Sequence, residues 1–181
     1  MYYIACDLAN MHYSRGRFGG DGVALDVTIL VGTMTGTADL VAQDVADALG
    51  AQGIAAEVVQ MDGLDAGVFT RNGAFLICSS TYGQGDVPDN AQALFNALET
   101  AKPDLSRVAY GVIALGDRTY AQTFCFGGKR FGAALAGLGA RRLGDIMLHD
   151  ASAGTMPEEV ALDWLPGWIE HLRQAPGQEA A

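Results

Sequence analysis

Residues 27–38 read VTILVGTMTGTA, an apolar, β-branched run followed directly by a turn rich in glycine and threonine. Short apolar runs of this kind are typical of buried strands. An amphipathic helical pattern begins immediately after the turn, with Val41, Val45 and Leu49 on one side. A strand that passes through such a turn into a helix brings free backbone N–H groups and the positive end of the helix dipole to one point. The stretch therefore predicts an anion-binding turn.

Two common nucleotide-binding motifs are excluded in this turn. A P-loop for nucleoside triphosphates needs a lysine followed by Ser or Thr, and residues 32–38 contain no lysine. Gly32 and Gly36 do not have the G-x-G-x-x-G spacing of a dinucleotide site. Two alternatives remain equally open: a neutral site for one phosphate group, or a threonine-rich helix cap that binds nothing.

The composition limits the class of partner. The chain has 181 residues and a formal net charge of −10, which disfavours nucleic acid and anionic lipid and favours basic proteins. No apolar run approaches the roughly 18 residues of a membrane span. Cys6, Cys78 and Cys125 form no C-x-x-C pair and no metal-ligand spacing. We therefore expect a cytoplasmic protein that has neither a disulfide framework nor a metal site.

The chain divides into one domain and two extensions. Residues 1–24 are irregular and lack the pattern of a secretory signal, so we interpret them as a flexible extension or as a start codon set too far upstream. Residues 25–173 form the predicted domain, and residues 174–181 a frayed tail. Within the domain, strand-like runs alternate with helical patterns, which indicates a parallel sheet covered by helices. The predicted strands cover residues 27–31, 54–61, 74–79, 108–115 and 141–148.

Helices are predicted between these strands and after the last of them. They cover residues 38–52, residues 90–100, a segment carrying Phe131 and Leu135, and a final segment from Pro157 in which Pro166 should kink or restart the helix. The loops after the first, third and fourth strands should share the carboxyl edge of the sheet, where such folds bind ligands. Two of these loops carry a tyrosine, Tyr82 and Tyr120, whose rings could enclose a planar group.

Three segments at this edge resemble the FMN-binding loops of the flavodoxin family. They are TMTGTA at 33–38, STYGQGDVPDN at 80–90 and LGDRTY at 115–120. The similarity is nearest to the FMN domains of cytochrome P450 reductase and sulfite reductase, and within that branch to the short flavodoxins of the MioC type. It covers about residues 25–172. The implied architecture is a three-layer flavodoxin-like α/β fold, with a five-stranded parallel sheet and helices on both faces.

The resemblance also implies which residues hold FMN. The first loop would bind the phosphate, the second would flank one side of the isoalloxazine ring, and the third would cover the other side, with Tyr120 stacked on it. The implied cofactor residues are Thr33, Met34, Thr35, Gly36, Thr37, Ala38, Ser80, Thr81, Tyr82, Gly83, Gly85, Leu115, Gly116, Asp117, Tyr120, Phe124 and Cys125. Cys125 beside a flavin could be redox-active, although an inert packing thiol is the simpler interpretation.

The implied function is the transfer of single electrons from a reductase to an acceptor enzyme, without a catalytic residue of the protein's own. The implied partners are basic redox proteins such as a ferredoxin/flavodoxin–NADP reductase. Acidic residues near the ring, among them Asp86, Asp89, Asp117 and Asp150, would steer such partners and disfavour an anionic reduced flavin.

Related scaffolds also support other functions. An FMN-dependent NAD(P)H:quinone reductase is the alternative on the same fold, although the sequence shows no second nucleotide motif. A phosphoreceiver domain needs an aspartate at the end of the third strand and a lysine after the fifth, where this chain has Ser79 and Leu148-His149. A binding role without flavin is a further possibility, which flavin absorption in the purified protein would exclude.

Overall fold

The structure is a computed structural model that describes residues 25–175. The predictions for residues 1–24, and those for residues 176–181 of the tail, lie outside the described residues. The strands are β1 (Asp26–Gly32), β2 (Ala55–Gln60), β3 (Ala74–Ser79), β4 (Ala109–Gly116), β5 (Arg141–Arg142) and β6 (Met147–Asp150). The helices are α1 (Thr37–Ala51), α2 (Asp89–Ala101), α3 (Phe126–Gly137) and α4 (Pro157–Gln174).

The strands form one parallel sheet in the order β2-β1-β3-β4-β5, and β6 also pairs with β4. All six residues of β3 are buried, which fits its central position between helices on both faces. The edge strand β2 is more exposed. The chain leaves β1 toward β2 on one side and returns to β3 on the other, so the strand order switches between β1 and β3. Ligands of doubly wound sheets bind at such a switch point.

The fifth strand differs from the prediction of one strand over residues 141–148. Two short segments, β5 and β6, share the position beside β4. Ala109 pairs with Arg141 and Ile113 pairs with Met147, so the fifth position uses two more residues than β4 over the same length. Gly144, at φ +67°, lies in the interruption. The extra residues bulge out of the ladder and divide the strand.

Helices cover both faces of the sheet and bury two apolar clusters. On one face, α1 and α4 pack through residues such as Val41 and Trp168. On the other face, α2 and α3 pack through residues such as Leu94 and Phe131. Helix α4 is continuous from Pro157 to Gln174 with Pro166 inside it, so the chain does not restart at this proline. The parallel sheet with helices on both faces confirms the predicted flavodoxin-like fold.

Within residues 25–175, no helix combines the length and the apolar character needed to cross a bilayer. The same residues hold no group of three or more His, Cys, Asp or Glu side chains placed to ligate a metal ion.

Candidate functional site

A cavity of about 590 Å³ opens at the carboxyl edge of the sheet, beside the switch in strand order. This volume lies within the range of small-molecule sites, roughly 300–1,000 Å³. Its walls come from the carboxyl ends of β4 and β6 and from the segments that follow β1, β3, β4 and β6. The lining residues are Thr35, Thr37, Ser80, Thr81, Gly83, Leu115, Gly116, Asp117, Tyr120, Thr123, His149, Ala151, Thr155 and Pro157.

The first loop presents an uncapped helix end to this cavity. The N-cap of α1 is Gly36, whose φ of 88° lies in the left-handed region that glycine adopts without strain, and no side chain caps the helix. Thr33 Oγ1 instead accepts a hydrogen bond from the Gly36 N–H at 3.0 Å. The threonine-rich cap considered from the sequence therefore does not form. The first N–H groups of α1 remain available to a ligand, beside the lining residues Thr35 and Thr37.

The second loop is closed by a tight turn. The Tyr82 N–H donates to the Asp86 carbonyl at 3.0 Å, and the Asp86 N–H donates back to the Tyr82 carbonyl at 2.8 Å. Ser80, Thr81 and Gly83 line the cavity, whereas the Tyr82 side chain is 53% exposed and is not part of the lining. The structure thus places the Tyr82 ring at the surface of the loop.

The third loop is shaped by Asp117. Its carboxylate accepts hydrogen bonds from the Thr119 N–H at 2.8 Å and the Thr119 hydroxyl at 2.6 Å. These bonds cap the short 3-10 helix Arg118–Tyr120 and bring Tyr120 to the cavity wall. Its side chain is 68% exposed. A largely exposed aromatic ring beside the cavity can cover one face of a planar ligand.

Phe124 and Cys125 lie behind the wall of the cavity. The Cys125 thiol is buried and donates to the carbonyl oxygens of Ala114, at 3.2 Å, and His149, at 3.5 Å. Burial raises the pKa of this thiol to about 11, so it stays protonated at neutral pH and is a poor nucleophile. Its contacts favour the packing interpretation over the redox one. The Arg118 guanidinium lies over the Phe124 ring, with its Cζ 4.8 Å from the ring centre.

The structure brings about half of the implied cofactor residues into the cavity. Those that line it are Thr35, Thr37, Ser80, Thr81, Gly83, Leu115, Gly116, Asp117 and Tyr120. The others lie beside or beneath the lining and are Thr33, Met34, Gly36, Ala38, Tyr82, Gly85, Phe124 and Cys125.

Apart from the expectation that Asp150 lies near the ring, sequence reasoning missed one wall of the cavity. This wall comes from the end of β6 and the residues after it, and includes His149, Ala151 and Thr155. His149 is only 4% exposed, and its Nε2 lies 2.9 Å from the Thr155 carbonyl oxygen. The signal was available, because a fifth parallel strand must end at the same edge as the other four.

The acidic residues near the cavity are partly neutralised by arginines. Asp86 pairs with Arg130 at 3.1 Å, and Asp150 pairs with Arg118 at 3.4 Å. The backbone N–H of Arg118, followed by the Ser152 hydroxyl, lowers the pKa of the Asp150 carboxyl. The negative charge expected around the ring is therefore smaller than a count of carboxylates suggests.

Comparison with known proteins agrees with this architecture. The flavodoxin family profile matches residues 29–164. Protein MioC of Escherichia coli O157:H7 is 35% identical over 148 residues, which are 82% of this chain and 99% of MioC. The sulfite reductase [NADPH] flavoprotein alpha-component of Bacillus subtilis is 32% identical over 160 residues, 88% of this chain and 26% of that protein.

A solved structure shares both the fold and the sequence pattern. The C101A mutant of flavodoxin from Pseudomonas aeruginosa superposes with a TM-score of 0.73 at 36% identity, covering 82% of this chain and 99% of the other. The matched residues include all three loops around the cavity. The chain therefore belongs to the flavodoxin family of FMN-binding electron-transfer proteins.

Proposed function

We propose that the cavity holds FMN with its phosphate group against residues 33–38. The uncapped end of α1 is the observation that carries this assignment. It offers backbone N–H groups, the helix dipole and the hydroxyls of Thr35 and Thr37 at one end of the cavity. Among residues 25–175, those that line the cavity include no lysine or arginine, which suits one phosphate group better than a chain of several phosphates.

The flavin ring then belongs between the second and third loops. Leu115 and Tyr120 offer apolar and aromatic surface on the side of the third loop, and Ser80 and Gly83 line the side of the second. FMN itself accepts and releases electrons, and the protein supplies binding, orientation and electrostatics. No nucleophile is required of the protein, which agrees with a Cys125 thiol that remains protonated.

The mouth of the cavity provides a surface for redox partners. Several of the large exposed apolar side chains of the described residues belong to the loops that form the cavity or adjoin lining residues in sequence: Met34, Tyr82, Tyr120 and Met156. Exposed apolar patches with charged surroundings are typical of protein-binding sites.

The partners proposed for this surface are basic redox proteins. The formal net charge of the chain, −10, favours a reductase of the ferredoxin/flavodoxin–NADP type as electron donor and a basic enzyme as acceptor. A cytoplasmic location fits such partners. The unpaired, buried thiols of Cys78 and Cys125 agree with a reducing compartment.

Replacing Thr35 by alanine tests the phosphate assignment. We expect the Kd for FMN to rise about 10- to 100-fold, because one hydrogen bond to a charged group is worth roughly 1.5–3 kcal/mol. The Kd for riboflavin, which lacks the phosphate, should stay unchanged. Fluorescence titration of the apoprotein measures both constants. Thr70→Ala is the control, since the Thr70 hydroxyl donates to the Gly67 carbonyl at 2.8 Å and Thr70 does not line the cavity. Wild-type FMN affinity in Thr35→Ala would contradict the assignment.

The rate of reduction by a partner tests the carrier function. We expect the second-order rate constant with a ferredoxin/flavodoxin–NADP reductase to fall about tenfold or more as ionic strength rises from roughly 0.02 to 0.3 M, because salt screens the attraction. Stopped-flow flavin absorbance measures this rate. A rate that does not change with salt would contradict electrostatic steering. Rapid NAD(P)H:quinone turnover without added reductase would replace the carrier by the reductase alternative.

A further inference from the structure

We propose that Asn90 is a positioning residue that fixes the phosphate loop, residues 33–38, and thereby sets the preference of the site for FMN over riboflavin. The proposal rests on the function proposed above. Asn90 does not line the cavity, so it would act through the loop and not through contact with the cofactor. It is the second residue of α2, on a helix that packs against the opposite face of the sheet from α1.

The side-chain amide of Asn90 joins the end of β1 to the start of the phosphate loop. Its Oδ1 accepts a hydrogen bond from the Thr33 N–H at 2.9 Å. Its Nδ2 donates to the Val31 carbonyl oxygen at 3.2 Å. The intervening Gly32 accepts the Ser80 N–H at 2.9 Å. Three successive residues are thus held where the strand becomes the loop, by contacts from distant parts of the chain.

The partners of Asn90 specify an amide. A backbone N–H requires an acceptor and a backbone carbonyl requires a donor, and the side-chain amide of Asn or Gln offers both on one short planar group. The Asp62 carboxylate and the Gln60 side-chain oxygen, 3.4 and 3.5 Å from Nδ2, also face the donor end. An aspartate at this position would place its second carboxylate oxygen against three acceptors.

A chain of hydrogen bonds transmits this anchoring to the uncapped end of α1. Asn90 holds the Thr33 backbone, and the Thr33 hydroxyl accepts from the N–H of Gly36, the N-cap of the helix. Without Asn90, Thr33 would lose a fixed partner, and the N–H groups that face the cavity would no longer be held in one arrangement. Loss of such preorganisation weakens binding of the group that the loop recognises.

The ring-binding loops have their own anchors. Tyr120 is positioned through Asp117 and Thr119, and the second loop through its closed turn. A defect at Asn90 should therefore affect the phosphate and spare the ring, which is a result that general destabilisation would not produce.

The test titrates the apoprotein with FMN and with riboflavin in wild type, Asn90→Ala and Asn90→Asp. We expect the Kd for FMN to rise about 10- to 100-fold in both variants while the Kd for riboflavin changes less than about twofold. The control is Gln92→Ala on the same helix. It removes the hydrogen bond of 2.9 Å that the Gln92 side-chain amide donates to the Val87 carbonyl, and this bond does not involve the phosphate loop. Its FMN-to-riboflavin ratio should match wild type.

Three outcomes would overturn the proposal. Wild-type FMN affinity in Asn90→Ala would show that the loop needs no anchor, and an equal loss for both ligands would reduce Asn90 to a general structural residue. A change of the ratio in Gln92→Ala as large as in Asn90→Ala would assign the effect to the helix as a whole. If the wild-type protein did not bind FMN more tightly than riboflavin, the phosphate assignment itself would be wrong. Thr35→Ala would then also leave the ratio of the two Kd values unchanged.

Discussion

Alanine in place of Gly127 is expected both to weaken FMN binding and to destabilise the protein. Gly127 lies in the first turn of α3, where an added Cβ would overlap the Ser80 carbonyl oxygen. Its N–H also donates to the Thr81 hydroxyl at 3.1 Å. The helix and the second loop must therefore separate to admit one methyl group. Overpacking of this kind costs roughly 1–3 kcal/mol of unfolding free energy.

The loss of FMN affinity in Gly127→Ala should be about tenfold or more, since Ser80 and Thr81 both line the cavity and would be displaced with the loop. Urea denaturation of the apoprotein and flavin titration measure the two effects. Gly137→Ala is the matched control in the same helix, because its added Cβ would meet nothing within 4 Å beyond its chain neighbours and the backbone of its own helix. It should bind FMN as wild type does. Wild-type affinity in Gly127→Ala would refute this account of how α3 supports the loop.

A second large effect is expected at Trp168. This side chain is 1% exposed and packs between α4 and the sheet, with the indole directly over Gly111. Trp168→Ala should lower the unfolding free energy by about 3–5 kcal/mol, because it leaves a large cavity. Trp168→Phe should cost much less, since the indole N–H is buried without a partner among the described residues, and phenylalanine removes that unsatisfied donor.

Urea denaturation of the two Trp168 variants decides this prediction. Trp164→Phe serves as a comparison, because the Trp164 indole N–H does have a partner, the Asp145 carbonyl oxygen at 3.2 Å. A loss below about 1 kcal/mol in Trp168→Ala would contradict the central place given to Trp168 in the core.

The sequence predicted those parts of the fold that depend on local pattern. Continuous apolar runs such as residues 74–79 and the alternation with helical periods indicated the parallel sheet. Three loops in order then indicated the edge at which the cavity lies. The division of the fifth strand was not predictable in this way, because it arises from the register of β5 and β6 against β4.

Some details of the candidate site could not be predicted from the sequence for a similar reason. The fifth strand had to end at the same edge of the sheet as the other four, but which of its residues reaches the cavity depends on the register of β6 against β4, and an isolated histidine does not reveal that register. The bond between Asn90 and Thr33 joins residues 57 positions apart, which no local pattern reveals. Conversely, Tyr82 and Tyr120 looked equivalent in sequence, but the turn at Tyr82–Asp86 leaves only Tyr120 in the lining.

In the part of the chain that the structure describes, no lysine or arginine lines the cavity, and this affects which phosphate ligands can compete for it inside a cell. Nucleoside triphosphates are abundant, carry several charges, and are usually bound through lysine and a metal ion. A site that attracts its anion only through peptide dipoles and hydroxyl groups gives those ligands little compensation for the water they would lose. A turn without cationic side chains would therefore bind nucleoside triphosphates poorly. It would stay free to bind a monophosphate that is much less abundant than they are.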